Sequence, residues 1–255
     1  MSLSRLAIRL ATVKALAGRT MAGGAVSDSQ VSAIDVAAAE HKHPFIAVYS
    51  DDGEASGVGR DISGNGAFSL AVEIGVTSKM RYRLDSGEDE VVDALVPTDA
   101  LMEMTLDLIA RQIVIALADP TNDWANLWRR LVPKVGRVRT RRGASADKLL
   151  RFAGRQMEIE VHPLGDPPFG KPPAGVWSDL LDAIEQDTDP EFRKLAAVIR
   201  SSIVGDPQPP SWRIEQAQLA LTGGEAVALQ ITPAEGLGDA DVDLGEVVLT
   251  EGSGG

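Results

Sequence analysis

The helical stretch from Thr98 to Ala118 constrains this chain more than any other. Met102, Leu106, Ile109, Ile113 and Leu117 share one face, and Leu101, Met104, Leu108 and Ile115 fill the neighbouring one. Only Glu103, Asp107 and Arg111 form a polar stripe, with Asp107 and Arg111 spaced for an i,i+4 ion pair. A helix with so narrow a polar stripe is expected to be buried over most of its girth. Thr98 and Asp99 suit its positive end, and Asp119-Pro120 stops it. A shorter helix follows, with Trp124, Leu127, Trp128 and Leu131 on one side. Nothing in either helix is reactive, so the pair reads as scaffold.

Such a helix needs a sheet to cover. The clearest strand is residues 68–77, where Phe68, Leu70, Val72, Ile74 and Val76 alternate with Ser69, Ala71, Glu73, Gly75 and Thr77. It is expected to run on through Met80, Tyr82 and Leu84. Phe45 to Tyr49 reads as a strand, and so do Val135 to Arg142 and Gln156 to Val161, with Gly143 to Gly154 as a loop or hairpin tip. A short strand is expected near Val31 to Val36. Leu3 to Ala17 reads as an amphipathic helix with Leu3, Leu6, Leu10, Val13 and Ala17 inward, ended by Gly18. The fold class is therefore α+β, a mainly antiparallel sheet packed against a long buried helix. Residues 1–162 make the main domain.

From Pro163 the composition shifts. Pro163, Pro167, Pro168, Pro172 and Pro173 mark a stiff connector. Two helices follow, one with Trp177, Leu180, Leu181 and Ile184, the other started by Asp189-Pro190 with Phe192, Leu195, Val198, Ile199 and Ile203. A hairpin is expected from Trp212 to Leu221 and Ala226 to Ile231 about Gly223-Gly224, then an acidic, Gly-rich tail. Residues 163–255 thus form a C-terminal elaboration. The Pro-bounded helical pair is expected to dock outside the main core, unless Trp177 and Phe192 complete it.

Chemistry is sparse. The chain has no Cys, which removes disulfides, thiolate metal sites and Cys nucleophiles. His41 and His43, with Asp51 or Asp52, lack a third ligand at a telling spacing, and His162 suits a strand end. Gly57, Gly59, Gly64 and Gly66 precede a strand rather than a helix, unlike a phosphate-binding loop. No Ser sits in a Gly-x-Ser-x-Gly elbow. The expectation is a protein that is not an enzyme, without catalytic, metal or cofactor-binding residues. No apolar run is long enough to span a membrane, and Arg5, Arg9 and Lys14 interrupt any signal-peptide core.

Charge is the strongest remaining signal. The net charge is −12, yet residues 129–155 carry ten Lys and Arg against one acidic residue, between two acidic flanks. Lys134, Arg137, Arg139, Arg141, Arg142, Arg151 and Arg155 are the candidate interface residues of this band. A protein–protein interface ranks first for them, because the last hundred residues offer acidic surface to a neighbouring subunit. Contact with DNA ranks second and a solvated face third.

The order helix, strands, helix, strands resembles the lambda-type tail terminator (tail completion) proteins of long-tailed bacteriophages and prophages. Residues that carry the likeness are Ser2 to Leu10, Pro44 to Tyr49, Phe68 to Val76 and the helix ending in Leu127-Trp128-Arg129-Arg130-Leu131. It spans about residues 2–161. What the resemblance implies is a structural virion protein forming a homo-oligomeric ring, a hexamer, at the head-proximal end of the tail. There it would stop tube growth and join tail to head. Implied partners are other copies of the chain, the tail tube protein and the head–tail connector or stopper, with non-specific contact to duplex DNA in the lumen and none to membrane. The implied location is the virion neck, and the host cytoplasm during assembly. Alternative readings are another neck or tail protein, and a nucleic-acid-binding module using residues 129–155.

Overall fold

The computed structural model describes residues 2–29, 44–55, 64–77, 99–147, 150–205 and 207–232. The chain forms two compact units, Met1–Pro167 with Pro173–Arg200, and Pro168–Pro172 with Ser201–Gly255.

The first unit is a mixed α and β structure built on a five-stranded sheet. Its strands are β1 (Val26–Asp28), β2 (Phe45–Gly53), β3 (Phe68–Thr77), β4 (Lys134–Asp147) and β5 (Leu150–His162), in the order β1-β2-β3-β5-β4. The β1–β2 pair is parallel and every other pair antiparallel. Ile46 and Val48 of β2, the alternating row Leu70 to Val76 of β3, and Met157, Ile159 and Val161 of β5 lie on one face and are buried. That face carries helix α1 (Leu3–Leu16) over β1 and β2, and helix α2 (Asp99–Ala118) over β3 and β5. Helix α3 (Asp123–Leu131) packs against both helices.

Gly75 has a steric reason to be glycine. It is the register partner of Phe45, whose ring would lie 2.2 Å from any Cβ at that position. The ring itself is fully buried.

Helix ends are closed by side chains from distant segments. The Asp166 carboxylate accepts from the N–H groups of Leu3 and Ser4, both at 2.9 Å, and from the Ser4 hydroxyl and the Asn65 amide. A carboxylate there satisfies unpaired donors and meets the positive end of α1. Asn122 caps α3 by accepting from the Trp124 and Ala125 N–H groups, and its amide donates to the Ala15 carbonyl at 2.9 Å. Arg129 donates to the Leu117 carbonyl at 2.7 Å, closing the C-terminal end of α2.

Several sequence expectations change. The buried side of α1 is made by Ser4, Ala7, Ile8, Leu10, Ala11, Thr12, Ala15 and Leu16, while Leu3, Leu6 and Val13 are half-buried and Ala17 is exposed. Small residues let this helix lie close, so the face is rotated from the one the Leu spacing suggests. Helix α2 buries Met102, Leu106, Ile109, Ile113 and Leu117, but Met104, Leu108, Val114 and Ile115 stay 42–57% exposed. Among the described residues the helix is thus buried on one side and about half exposed on the other. Asp107 contacts Arg155 of β5, which lies on the same side of the sheet as Ile74, so the i,i+4 pair with Arg111 is not the contact it makes. β4 and β5 run on through Gly143 and Gly154, which sit opposite each other in the ladder, so most of the expected loop is strand. β1 is a strand the sequence pattern did not mark. The strands expected near Val31 to Val36 and Met80 to Leu84, and the cap Thr98, lie outside the described residues.

Helix α4 (Val176–Glu185) belongs to the first unit, with Trp177, Leu180, Leu181 and Ile184 buried. Helix α5 (Pro190–Val204) begins in the first unit and ends in the second. Asp187 before α5 pairs with Lys14 of α1 at 2.8 Å. The Lys14 ammonium also sits 4.0 Å from the Phe192 ring, which meets Trp124 edge-on. Burial would raise the Asp187 pKa, but bonds from Lys14 and the Asp189 N–H, with the charges of Lys14 and Arg193, hold it below the usual carboxylate range. Within the first unit Trp177 is thus buried, and Phe192 is half-buried against Trp124 and Lys14.

The second unit is helical where described. Helices α6 (Ser211–Gln218) and α7 (Gly223–Ala228) replace the expected hairpin. Pro210 leads directly into α6, and Thr222 with Glu225 forms a reciprocal capping box at α7, so Gly223-Gly224 opens a helix instead of turning a hairpin. Gly170, at φ +79°, has no room for a Cβ against Ile214, which is buried in this unit.

Gly75→Ala is expected to cost about 1–3 kcal/mol by overpacking Phe45, and Trp177→Ala about 3–5 kcal/mol by leaving a cavity. Denaturant unfolding of both variants checks this; unchanged midpoints would contradict the packing described.

Candidate functional site: a groove between two charged rims

The sheet face away from α1 and α2 buries Phe45, Ala47 and Ala71 on β2 and β3 and is polar toward β5 and β4. Strand alternation turns Ser69, Ala71 and Glu73 of β3 and Gln156, Glu158 and Glu160 of β5 toward it. On β4 a register shift between Val135 and Val138 precedes Arg139 and Arg141, which face Glu158 and Gln156 in the ladder. A groove of about 840 Å³ results. Ser69, Gln156, Glu158 and Glu160 line its middle, Arg137, Arg139 and Arg141 one rim, and Asp51, Asp52 and Glu54 the other.

Both rims are exposed. Arg141 reaches Glu158 at 3.4 Å, and His162 reaches Glu160 at 3.4 Å. Among the described residues, Arg137, Arg139, Asp51, Asp52 and Glu54 have no ion-pair partner. Gly136 is confined by the Glu160 carboxylate, 2.6 Å from where a Cβ would stand.

Beside the groove, Gln156 donates to Glu73 at 3.1 Å, and Tyr49 bonds the same carboxylate. Burial, the Glu73 charge and the hydrogen bond push the Tyr49 phenol up to about 12. Burial is also the main cause raising the Glu73 pKa, and Asp51 adds to it, against the bonds from Tyr49 and Gln156. The phenol stays protonated at neutral pH. What the arrangement offers chemically is ion pairing along two rims of opposite sign.

The seven basic candidates separate. Arg137, Arg139 and Arg141 share the groove rim, and Lys134 is exposed at the start of β4. Arg142 and Arg155 turn to the helix side, where Arg142 pairs with Glu103 at 2.5 Å and Arg155 contacts Glu103 and Asp107. The Arg151 side chain lies outside the described residues, as do His41, His43, Gly57 and Gly59. Among the described residues no group of three or more His, Asp or Glu is placed to hold a metal ion, and no helix is long and apolar enough to cross a membrane. The acidic rim carries no mark in the sequence, where the strand pattern ends at Tyr49, whereas β2 runs on to Gly53 and brings Asp51 and Asp52 with it.

No protein-family model matches the chain, and no curated protein matches its sequence.

Because Glu73 has a raised pKa when folded, the folded chain holds its proton more tightly than the unfolded chain. Glu73 therefore adds stability as pH falls through its titration range and adds none at neutral pH. Glu73→Gln keeps an acceptor for Tyr49 or Gln156. It is expected to be neutral or stabilising at about pH 7 and to lose that advantage below about pH 4. Unfolding midpoints at both pH values test this; a variant less stable at pH 7 than at pH 4, relative to the parent, would contradict it.

Proposed function

We propose that the chain is a structural subunit that assembles with copies of itself into a ring. In that reading it acts as the tail terminators it resembles do, closing the head-proximal end of a phage tail, ending tube growth and joining tail to head. Its partners are then its own copies, the tail tube and the head–tail connector, in the virion neck.

The outer face of α2 carries this reading. Met104, Leu108 and Ile115 form one stripe along the helix, with Val114 at its border, and all four are 42–57% exposed. Single exposed apolar residues are ordinary on a protein surface, but several aligned on one helix mark an interaction surface. Arg111 interrupts the stripe and is exposed too. Packing of this stripe against a neighbouring copy gives α2 the burial over most of its girth that its sequence calls for. Each of the four side chains would contribute about 1 kcal/mol or more on burial. The resemblance of the first unit's element order, helix, strands, helices, strands, to that of the terminators supports the same reading.

The native chain is expected to run as a closed oligomer in analytical ultracentrifugation at micromolar concentration. Leu108→Glu with Ile115→Glu is expected to remain folded by circular dichroism yet sediment as a monomer. A native chain that is monomeric under these conditions would refute the reading, as would the double variant assembling like the parent.

A further inference from the structure

Among the described residues the sheet has two uncovered ends of opposite charge, and they lie at one level. At one side β1 covers β2 only at Ile46 to Val48, leaving the end of β2 with Asp51 and Asp52, and Glu54 just beyond, uncovered. At the other side β4 is the outermost strand, with Lys134, Arg137, Arg139 and Arg141 exposed. The register runs straight across from Gly53 to Phe68, from Phe68 to Val161 and from Val161 to Val135. The acidic end and the basic edge are thus opposite ends of one row, three strand spacings or about 14 Å apart. Too far apart to neutralise each other directly, each set keeps its own repulsion within a single copy.

We propose that the basic edge of β4 in one copy docks on the acidic end of β2 in the next copy, Arg137 and Arg139 against Asp51, Asp52 and Glu54. This rests on the self-assembly reading and assigns it an interface. Two different patches of identical subunits make a head-to-tail contact, which propagates and closes into a ring when its rotation closes. The pairing sets two arginines against three carboxylates, none of which has an ion-pair partner among the described residues. Contact is through side chains rather than an added strand. The Arg5 guanidinium already donates to the Asp51 carbonyl and Arg9 to the Ser50 hydroxyl, while arginines and a bulge guard the β4 edge. Duplex DNA is the weaker occupant for the arginine rim. Asp51, Asp52, Glu54, Glu158 and Glu160 line the same groove and would repel phosphate.

Charge exchange tests the assignment. Arg137→Glu with Arg139→Glu, and separately Asp51→Lys with Asp52→Lys, should each weaken self-association about tenfold or more at low salt. An equal mixture of the two variants should regain the parental mass, because every contact in an alternating ring then joins opposite signs. The chain carrying all four changes should assemble alone. If the Glu pair does not fold, Arg137→Ser with Arg139→Ser should weaken association and lower its salt dependence. Parental assembly by the Arg variants overturns the interface while leaving the ring intact, and so does failure of the mixture to recover. If they assemble normally but lose retention of duplex DNA, the arginines face DNA instead. A parent that never assembles refutes the ring itself, a different result from either.

Discussion

Everything in the first unit follows from the contact between α2 and one face of the sheet. The inner row of α2, Met102 to Leu117, is buried on the side where the alternating residues of β3 are buried too. Toward β5 and β4 the opposite face of the sheet carries polar residues. The groove with its charged rims is a consequence of that division. The same contact leaves the outer row of α2 about half exposed, since a helix apolar on two sides needs two surfaces and the sheet supplies one.

Charge follows the same partition. Arg142 and Arg155 lie on the helix side and bind Glu103 of α2, so they fasten the edge of the sheet to the helix. Arg137, Arg139 and Arg141 alternate to the opposite side and remain outward. One dense run of basic residues therefore does two jobs, and a one-residue step along the strand decides which. Polar capping performs a third. Asp166 and Asn122 join the start of α1 and the start of α3 to segments far away in sequence, so the helices are positioned by specific bonds as well as by apolar contact.

Much of this was legible in the residues. The period-two pattern of Phe68 to Val76 marks β3 and its buried row, and Asp119-Pro120 marks the end of α2, because both are local signals. What failed was non-local or hidden in small residues. Ala7, Ala11 and Ala15 carry little hydrophobic weight, yet they set the buried side of α1. Nothing in the spacing of Arg155 reveals that it meets Asp107, since that contact depends on how the sheet meets the helix. Gly223-Gly224 resembles a turn until Thr222 and Glu225 are read together as a cap. For the groove, the basic rim was visible as a charge run, whereas the acidic rim became a partner only when strand order placed it at the same level.

Hydroxyl-radical footprinting of methionines tests the central claim most directly, that the outer face of α2 is covered by another copy. Met104 is 51% exposed, whereas Met102 on the same helix and Met157 on β5 are 3% and 4% exposed and act as internal references. With increasing protein concentration, oxidation of Met104 is expected to fall toward the level of Met102 and Met157 as the assembly forms, while those two stay low throughout. Equal oxidation of Met104 in the dilute chain and in the assembled particle would contradict the account.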